Sequence, residues 1–323
     1  MKITVIGAGN VGATCANEIA TKELAEELVL IDTNEPMTKG KALDLWQASP
    51  ILNFDTKIVA AHDDYSLTAK SEVVVITAGI ARKPGMSRDD LIQTNAYIVK
   101  EAAENAVKYS PNAIIIVVSN PLDVMTYAAF LAAESIPSKR IFGMAGLLDT
   151  ARYKSFLAEV LNISPKSIHA LLLGGHGDSM VPLPRYTTVS GIPIRELIDE
   201  DTLLSIIERT KKGGGELVSL MGTSAWYAPG AAAAQMVESV VKNQRRVFPV
   251  CASLNGEYGF RDLHLGVPVV LGKNGIERII ELKLNEEEMA LLKKSAKEVK
   301  ELMQVLDDMN IFPKKYGRVN PIE

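Results

Sequence analysis

Three features of the sequence predict an α/β protein in two parts, a doubly wound parallel sheet followed by an α+β lobe. The first 145 or so residues alternate short Val/Ile-rich runs with longer amphipathic stretches, and a glycine-rich turn follows the first of those runs. Beyond about residue 146 the runs are instead bounded by Gly, Pro and Asn turns and accompanied by two long helical stretches. Near-continuous apolar strands separated by helices belong to a sheet covered on both faces, because such strands have no solvated side to mark with polar residues.

The first-half strands are expected at Lys2–Ile6, Leu28–Ile31, Lys57–Ala60, Glu72–Thr77, Ala113–Val118 and Arg140–Phe142. Each is too short for a buried helix, and six in this span fit two βαβαβ halves. Helices join them at Asn10–Lys22, Met37–Gln47 and Ser87–Ser110. The last opens on Ser-Arg-Asp-Asp, small and acidic residues that suit the unpaired N–H groups and dipole of a helix N-terminus. In the second half, strands are expected around Ile168–Leu173, Arg185–Val189, Val247–Leu254 and Val267–Lys273, in antiparallel arrangement. Two helices complete that lobe, Asp201–Val241 (broken near Gly213–Gly215 and at Pro229) and Glu286–Asp308, whose Met289, Leu292, Ala296, Val299 and Met303 form a packing face. The change of pattern places a boundary near Gly143–Gly146, giving parts 1–145 and 146–323.

Composition narrows the function classes. The chain has 323 residues, 47% of them hydrophobic and 23% charged, which excludes a disordered or low-complexity protein. At this length a single core stops growing, so two lobes are the default. A net charge of −4 leaves no excess of Lys and Arg for nucleic acid or an anionic membrane. Cys15 and Cys251 cannot build a disulfide framework, and the four histidines have no zinc-type spacing, so no metal is expected. Apolar runs such as Ala113–Val118 are too short to span a bilayer, and Ile3–Ile6 reads as a strand rather than a leader, so a cytoplasmic protein is expected.

Gly7-Ala8-Gly9-Asn10-Val11-Gly12 is a GxGxxG between the first strand and the first helix. Taken alone it is also an ordinary strand–helix turn. In this context Gly7 permits the tight turn, Gly9 lets backbone approach a pyrophosphate over the helix N-terminus, and Gly12 lets helix and strand pack closely. Asp32 ends the second strand, twenty positions after Gly12. A carboxylate there accepts from both ribose hydroxyls and repels a 2′-phosphate, so the expected fold is Rossmann-type and the expected cofactor is NAD rather than NADP.

His176 lies in Leu173-Gly174-Gly175-His176-Gly177-Asp178-Ser179, where the glycines leave room for substrate beside an imidazole suited to proton transfer near neutrality. The carboxylate to orient it is Asp149, in Leu147-Leu148-Asp149-Thr150-Ala151-Arg152. Three positions on, Arg152 shares a helical face and can grip a substrate carboxylate with its planar fork.

With these segments in view, the chain resembles the NAD-dependent lactate/malate dehydrogenase family over nearly its whole length, and most closely the lactate-dehydrogenase-like branch of its bacterial malate dehydrogenases. The resemblance is carried by Ile6–Gly12, Thr77–Leu91 (TAGIARKPGMSRDDL), Val118–Asp123 (VSNPLD), Gly143–Arg152 (GMAGLLDTAR) and Leu173–Val181 (LGGHGDSMV). It implies His176 as acid/base, Asp149 as its orienting carboxylate and Arg152 as the clamp on the C1 carboxylate. It further implies that Asn120 touches substrate and the nicotinamide side, while Asn95 and the Val118, Ser119 and Asn120 backbone approach the cofactor. In the Ala81–Arg88 loop it makes Arg88 the group that hydrogen-bonds the reacting carbonyl, and Arg82 the residue that selects the substrate. Three cations are more than a monocarboxylate needs, and a guanidinium facing a methyl group would be buried unpaired. Malate and oxaloacetate are therefore expected over lactate and pyruvate. Gly79, Pro84 and Gly85 mark that loop as a lid.

The resemblance also implies a homo-oligomer, tetramer or dimer. It places Gly222–Trp226, with Ser224, toward the variable end of the substrate, and gives the tail Met309–Glu323 no role. His62 reads as a strand-end surface residue, and His169 and His264 as structural or exposed. Three rivals remain. An L-lactate dehydrogenase on the same scaffold is opposed by Arg82. An NAD-dependent glycoside hydrolase needs a divalent metal, for which no suitable Cys/His pairing is present. A non-catalytic NAD-binding protein would have no use for the His, Asp and Arg set.

Overall fold

The computed structural model describes residues 1–81 and 87–312, with Arg88 described in its backbone alone. Six parallel strands form its first half: β1 (Lys2–Ile6), β2 (Glu27–Ile31), β3 (Lys57–Ala61), β4 (Val73–Ile76), β5 (Ile114–Val117) and β6 (Ile141–Gly143). Every end lies within one residue of the sequence expectation. They are ordered β3-β2-β1-β4-β5-β6, with Val5 of β1 level with Leu30 of β2 and Val75 of β4. β4 and β5 are buried at every position. Each such Val or Ile contributes roughly 1.5–3 kcal/mol by leaving water, which favours β-branched runs without alternation here. The order reverses between β1 and β4, and a crevice at that switch point is where doubly wound sheets bind ligands.

The helices between them are α1 (Asn10–Thr21), α2 (Glu35–Leu52), α3 (Arg88–Tyr109) and α4 (Leu122–Ala132). A reciprocal capping box starts α3: Ser87 Oγ accepts the Asp90 N–H at 3.0 Å, and Asp90 Oδ2 accepts the Ser87 N–H at 3.1 Å. α4 was not expected from the sequence. Its residues 122–129 are all buried, so no polar face repeats at helical spacing to announce it.

The second half contains α5 (Gly146–Leu161), β7 (Ile168–His169), β8 (Leu172–Gly174), β9 (Met180–Pro182), β10 (Thr188–Val189), β11 (Ile192–Pro193), α6 (Glu200–Met221), α7 (Tyr227–Val241), β12 (Arg246–Asn255), β13 (Arg261–Gly272), β14 (Gly275–Ile279) and α8 (Glu286–Asp308). The parallel sheet continues into this half. β12 pairs antiparallel with β6 through Cys251 and Gly143, and β13, β8 and β9 follow in turn, with β14 also on β13. At that junction a Cβ on Gly143 would lie 3.1 Å from the Cys251 Cβ and collide with the Thr126 hydroxyl. β7, β10 and β11 form a separate three-stranded sheet.

Three expectations need correction. α6 runs unbroken through Gly213–Gly215 and ends at Gly222, whose left-handed φ of 69° stops it. Interior glycine costs a helix only about 1 kcal/mol per residue, which packing offsets. Pro229 lies in the first turn of α7, where its missing N–H would have no intrahelical partner, so it breaks nothing. The strand expected over Arg185–Val189 shrinks to β10, because Pro184–Tyr186 forms a 3-10 turn. Among the described residues no helix is long and apolar enough to cross a membrane.

Candidate active site

The glycine-rich turn joins β1 to α1. Gly7 has φ +106°, and a Cβ there would press on the Ala78 backbone nitrogen at 2.7 Å; one on Gly12 would run into the Gly7 carbonyl. Both positions thus require glycine for close packing against β4 and the turn itself. Gly9, by contrast, faces open space. As N-cap of α1 it brings no side chain to the helix N-terminus, and the first turn of α1 carries no acid. The amides there lie uncovered and electropositive, which suits a pyrophosphate.

Asp32 performs two tasks at the end of β2. Its Oδ2 accepts the Ala8 N–H at 2.6 Å, and Oδ1 accepts the Asn34 N–H at 3.0 Å. It ties the glycine turn to the neighbouring strand, and lone pairs remain for ribose hydroxyls. Ser119, just beyond β5, donates its hydroxyl to the Ala78 carbonyl, and the Val118 N–H reaches the Ile76 carbonyl at 2.8 Å. Asn120 follows with an exposed side chain. Asn95 of α3 is 1% exposed: its Oδ1 accepts the Ile80 N–H at 2.8 Å, and its Nδ2 donates to the carbonyls of Ile80 (3.1 Å) and Asn120 (2.6 Å). The amide is therefore engaged with backbone on both sides, and anything it does for a cofactor acts through the loops it joins. The edge fits a dinucleotide, with Gly7–Gly12 and Asp32 available to hold it.

A second cluster gathers residues from α5 and from the turn after β8. His176 follows β8, and its Nδ1 lies 2.9 Å from Asp149 Oδ2 of α5. A carboxylate can only accept, so in the neutral ring Nδ1 carries the proton and Nε2 keeps a lone pair, an arrangement suited to a base. Asp149 Oδ1 is 3.4 Å from the Arg152 guanidinium, one turn along α5, so one carboxylate serves both the imidazole and the guanidinium. The side chains of His176, Arg152 and Asp149 are 20%, 14% and 2% exposed. Burial alone would disfavour the imidazolium, but the charge and hydrogen bond of Asp149, assisted by Asp123, outweigh it and raise the His176 pKa above 6.5. Gly213 of α6 leaves room beside Arg152, since a Cβ there would sit 3.3 Å from its Cδ.

Arg82 falls outside the described residues, as do 83–86 of the expected lid and the side chain of Arg88, first residue of α3. Ser224 is exposed in the turn between α6 and α7. His62 is exposed near the end of β3, and His264 is buried in β13. Two open depressions of about 410 and 590 Å³, lined by Lys139, Arg245, Lys273 and Glu277 among others, share no residue with either cluster. Sequence reasoning assigned nothing to Asp123 or Ser295, which accept the backbone N–H groups of His176 and Gly175 respectively. The VSNPLD segment contained Asp123, but nothing in the sequence tied it to residue 176.

Residues 1–143 match the family model described as "lactate/malate dehydrogenase, NAD binding domain", and 147–308 match "lactate/malate dehydrogenase, alpha/beta C-terminal domain". The chain belongs to the lactate/malate dehydrogenase family. It is 64% identical over 309 residues to a malate dehydrogenase of Cytophaga hutchinsonii, an alignment covering 96% of this chain and 99% of the relative. The solved malate dehydrogenase of Salinibacter ruber superimposes with a TM-score of 0.92 at 52% identity, covering 96% of this chain and 98% of that one. A Cryptosporidium parvum lactate dehydrogenase, solved with lactic acid and nicotinamide adenine dinucleotide, reaches 0.91 at 36% identity, covering 95% and 98%. NAD is thus the cofactor of this fold, and the family's two activities share one backbone.

Proposed function

We propose that this chain is a malate dehydrogenase, catalysing reversible NAD-dependent oxidation of (S)-malate to oxaloacetate, with His176 and Asp149 as its acid-base pair. The observation that carries the reading is the His176–Asp149–Arg152 arrangement, in a chain 64% identical to a malate dehydrogenase. When bound, NAD supplies the hydride acceptor and, reduced, the donor. The His176 Nε2 lone pair takes the hydroxyl proton of malate, and Asp149 stabilises the imidazolium that results. In reduction the same proton returns to the carbonyl oxygen. Arg152 holds the C1 carboxylate through its planar fork, Arg82 pairs with the second carboxylate, and Arg88 and Asn120 bind at the reacting carbon. Lactate dehydrogenase is the second reading, because a lactate dehydrogenase superimposes as well as several malate dehydrogenases do. Arg82 argues against it, since a methyl-terminated substrate would leave that charge unpaired.

The deciding experiment measures initial rates of NADH oxidation with oxaloacetate and with pyruvate, for the wild type and Arg82→Gln. Oxaloacetate is expected to be preferred by orders of magnitude, and the variant to lose that preference. Equal or faster turnover of pyruvate by the wild type would make the chain a lactate dehydrogenase. Turnover of neither would leave only the NAD-binding fold.

The same reading makes the protein a cytoplasmic enzyme of the tricarboxylic acid cycle that works as a homo-oligomer, tetramer or dimer. Support for assembly comes from α2, whose Leu43, Trp46, Ile51 and Leu52 are 56%, 46%, 82% and 45% exposed. Apolar side chains this numerous on one helix mark a surface that another chain covers. Light scattering of the purified protein should give at least twice the 35.0 kDa chain mass.

A further inference from the structure

The VSNPLD segment ends in a carboxylate with no role in the reaction described above. Asp123 lies in the first turn of α4 and is 6% exposed. Its Oδ2 accepts the backbone N–H of His176 at 2.8 Å, while the preceding amide, that of Gly175, donates to Ser295 Oγ of α8 at 2.8 Å. Two consecutive amides are thus gripped from two helices, and the backbone leading into the imidazole is fixed at both of them. The grip needs space: a Cβ on Gly175 would lie 2.6 Å from Ser179 Oγ and from Val299 Cγ2, and 3.3 Å from Asp123 Oδ2.

Satisfying a peptide N–H does not require an acid. Ser295 does it for Gly175 with a neutral hydroxyl, and an asparagine or serine at 123 would avoid burying a carboxylate. The second oxygen, Oδ1, has no nitrogen or oxygen hydrogen-bond partner among the described residues, and the carboxylate's other neighbour is the weakly donating Cys251 thiol. What it does face is the histidine. The charged and titratable groups around the ring are Asp149 and Arg152 from α5 and Asp123 from α4; the Cys251 thiol of β12 lies beside Asp123, and burial pushes its pKa well up, keeping it neutral. α8 offers the uncharged Ser295 and Val299.

We infer that Asp123 is a positioning residue for His176, orienting the ring toward Asp149 through the backbone and providing a second negative charge that favours the imidazolium. The division of labour is that Asp149 acts on Nδ1 directly, whereas Asp123 acts through the peptide and across space. Burial, with Asp149, raises the Asp123 pKa overall, and the His176 amide and ring oppose part of that rise, so that where both are ionised the carboxylate and the imidazolium support each other's charged forms. The inference rests on His176 being the acid-base group.

The test compares pH profiles of kcat/KM for malate oxidation in the wild type, Asp123→Asn, Asp123→Glu and Ser295→Ala. Asp123→Asn keeps an acceptor but removes the charge, and should move the acidic limb to lower pH by about 1 unit. Asp123→Glu keeps the charge but displaces the acceptor, so it should lower kcat while leaving the limb near its wild-type position. Ser295→Ala loosens the preceding peptide without changing charge, and should slow turnover with the limb unmoved. Superimposable limbs for Asp123→Asn and wild type would overturn the inference, as would an equal shift in Ser295→Ala. Undiminished turnover in His176→Asn would instead sink the acid-base reading itself, so the two failures are distinguishable.

Discussion

His176 and His264 lie in two differently built regions of the same half of the chain. His176 follows β8 at the cleft, its side chain 20% exposed and its Nδ1 2.9 Å from Asp149. His264 lies in β13, 2% exposed, with its ring 5.3 Å from that of Tyr127 and 5.1 Å from that of Phe130. Neither of its nitrogens has a hydrogen-bond partner among the described residues. Burial disfavours the charged form in both places. At His264 nothing opposes it and the pKa falls to about 3, whereas at His176 Asp149, assisted by Asp123, reverses the effect and the pKa rises above 6.5. A buried imidazole is therefore a proton carrier or an inert filler according to whether a carboxylate accompanies it, and this difference has consequences for both rate and stability.

The largest expected effect separates the two on activity. His176→Asn should lower kcat by ~10²–10⁴-fold, the usual worth of a general acid-base group. His264→Leu should leave kcat within about twofold, because the rings beside it, Tyr127 and Phe130, belong to neither candidate cluster. Steady-state assays of both variants check this, and a large loss in His264→Leu would abolish the contrast.

Asp149→Asn comes next. It removes the charge that supports the imidazolium and the partner of Arg152, so kcat should fall by ~10²-fold or more and the KM for malate should rise. With His176 as the proposed acid-base group, malate oxidation by the wild type should increase as pH rises through its elevated pKa, whereas oxaloacetate reduction, which needs the imidazolium, should decline over the same range. Asp149→Asn should shift both limbs toward lower pH. Limbs that stay in place would mean that burial, and not Asp149, dominates the ring.

The smallest effect is on stability, and the two histidines contribute with opposite signs. A raised folded-state pKa, as at His176, adds stability that is full below about 6.5 and lost as pH rises through the folded value. A depressed one, as at His264, leaves stability full above about 6.5 and removes it as pH falls toward about 3, because the unfolded chain takes up a proton that the folded chain refuses. Between pH 6.5 and 5 the His264 contribution amounts to about 2 kcal/mol, at ~1.4 kcal/mol per unit. Urea unfolding at pH 7.5 and pH 5 should show that His264→Leu loses about that much less than the wild type on acidification. An unchanged difference would mean that the ring is protonated inside the fold.

Much of the first half was legible in the sequence, since each strand is a Val/Ile run flanked by polar or turn residues and each strand end could be placed to within one residue. α4 was not, because burial on all sides erases the helical period that would reveal it. Gly213–Gly215 misled for a related reason. Glycine lowers intrinsic helix propensity, but α6 continues through all three, and the missing side chain of Gly213 makes room for Arg152. In the candidate site, motif and residue type singled out His176, Asp149 and Arg152, the last two on one helix face. Asn95, expected near the cofactor, has its amide engaged by the backbone of Ile80 and Asn120.

The sequence by itself determined the things that local physics controls: a parallel sheet from apolar runs, a tight turn from Gly7, Gly9 and Gly12, an acid at the end of β2, and the chemical identity of each candidate group. Tertiary structure alone decided which of those groups meet. Asp149 and His176 are 27 residues apart, and Asp123 and His176 are 53 apart. Their separations of 2.9 and 2.8 Å depend on how α4 and α5 pack against the sheet where β6 joins β12. The fates of His176 and His264 were undecided for the same reason, since a pKa is set by the charges and solvent around a ring, and these are assembled from segments far apart in the chain.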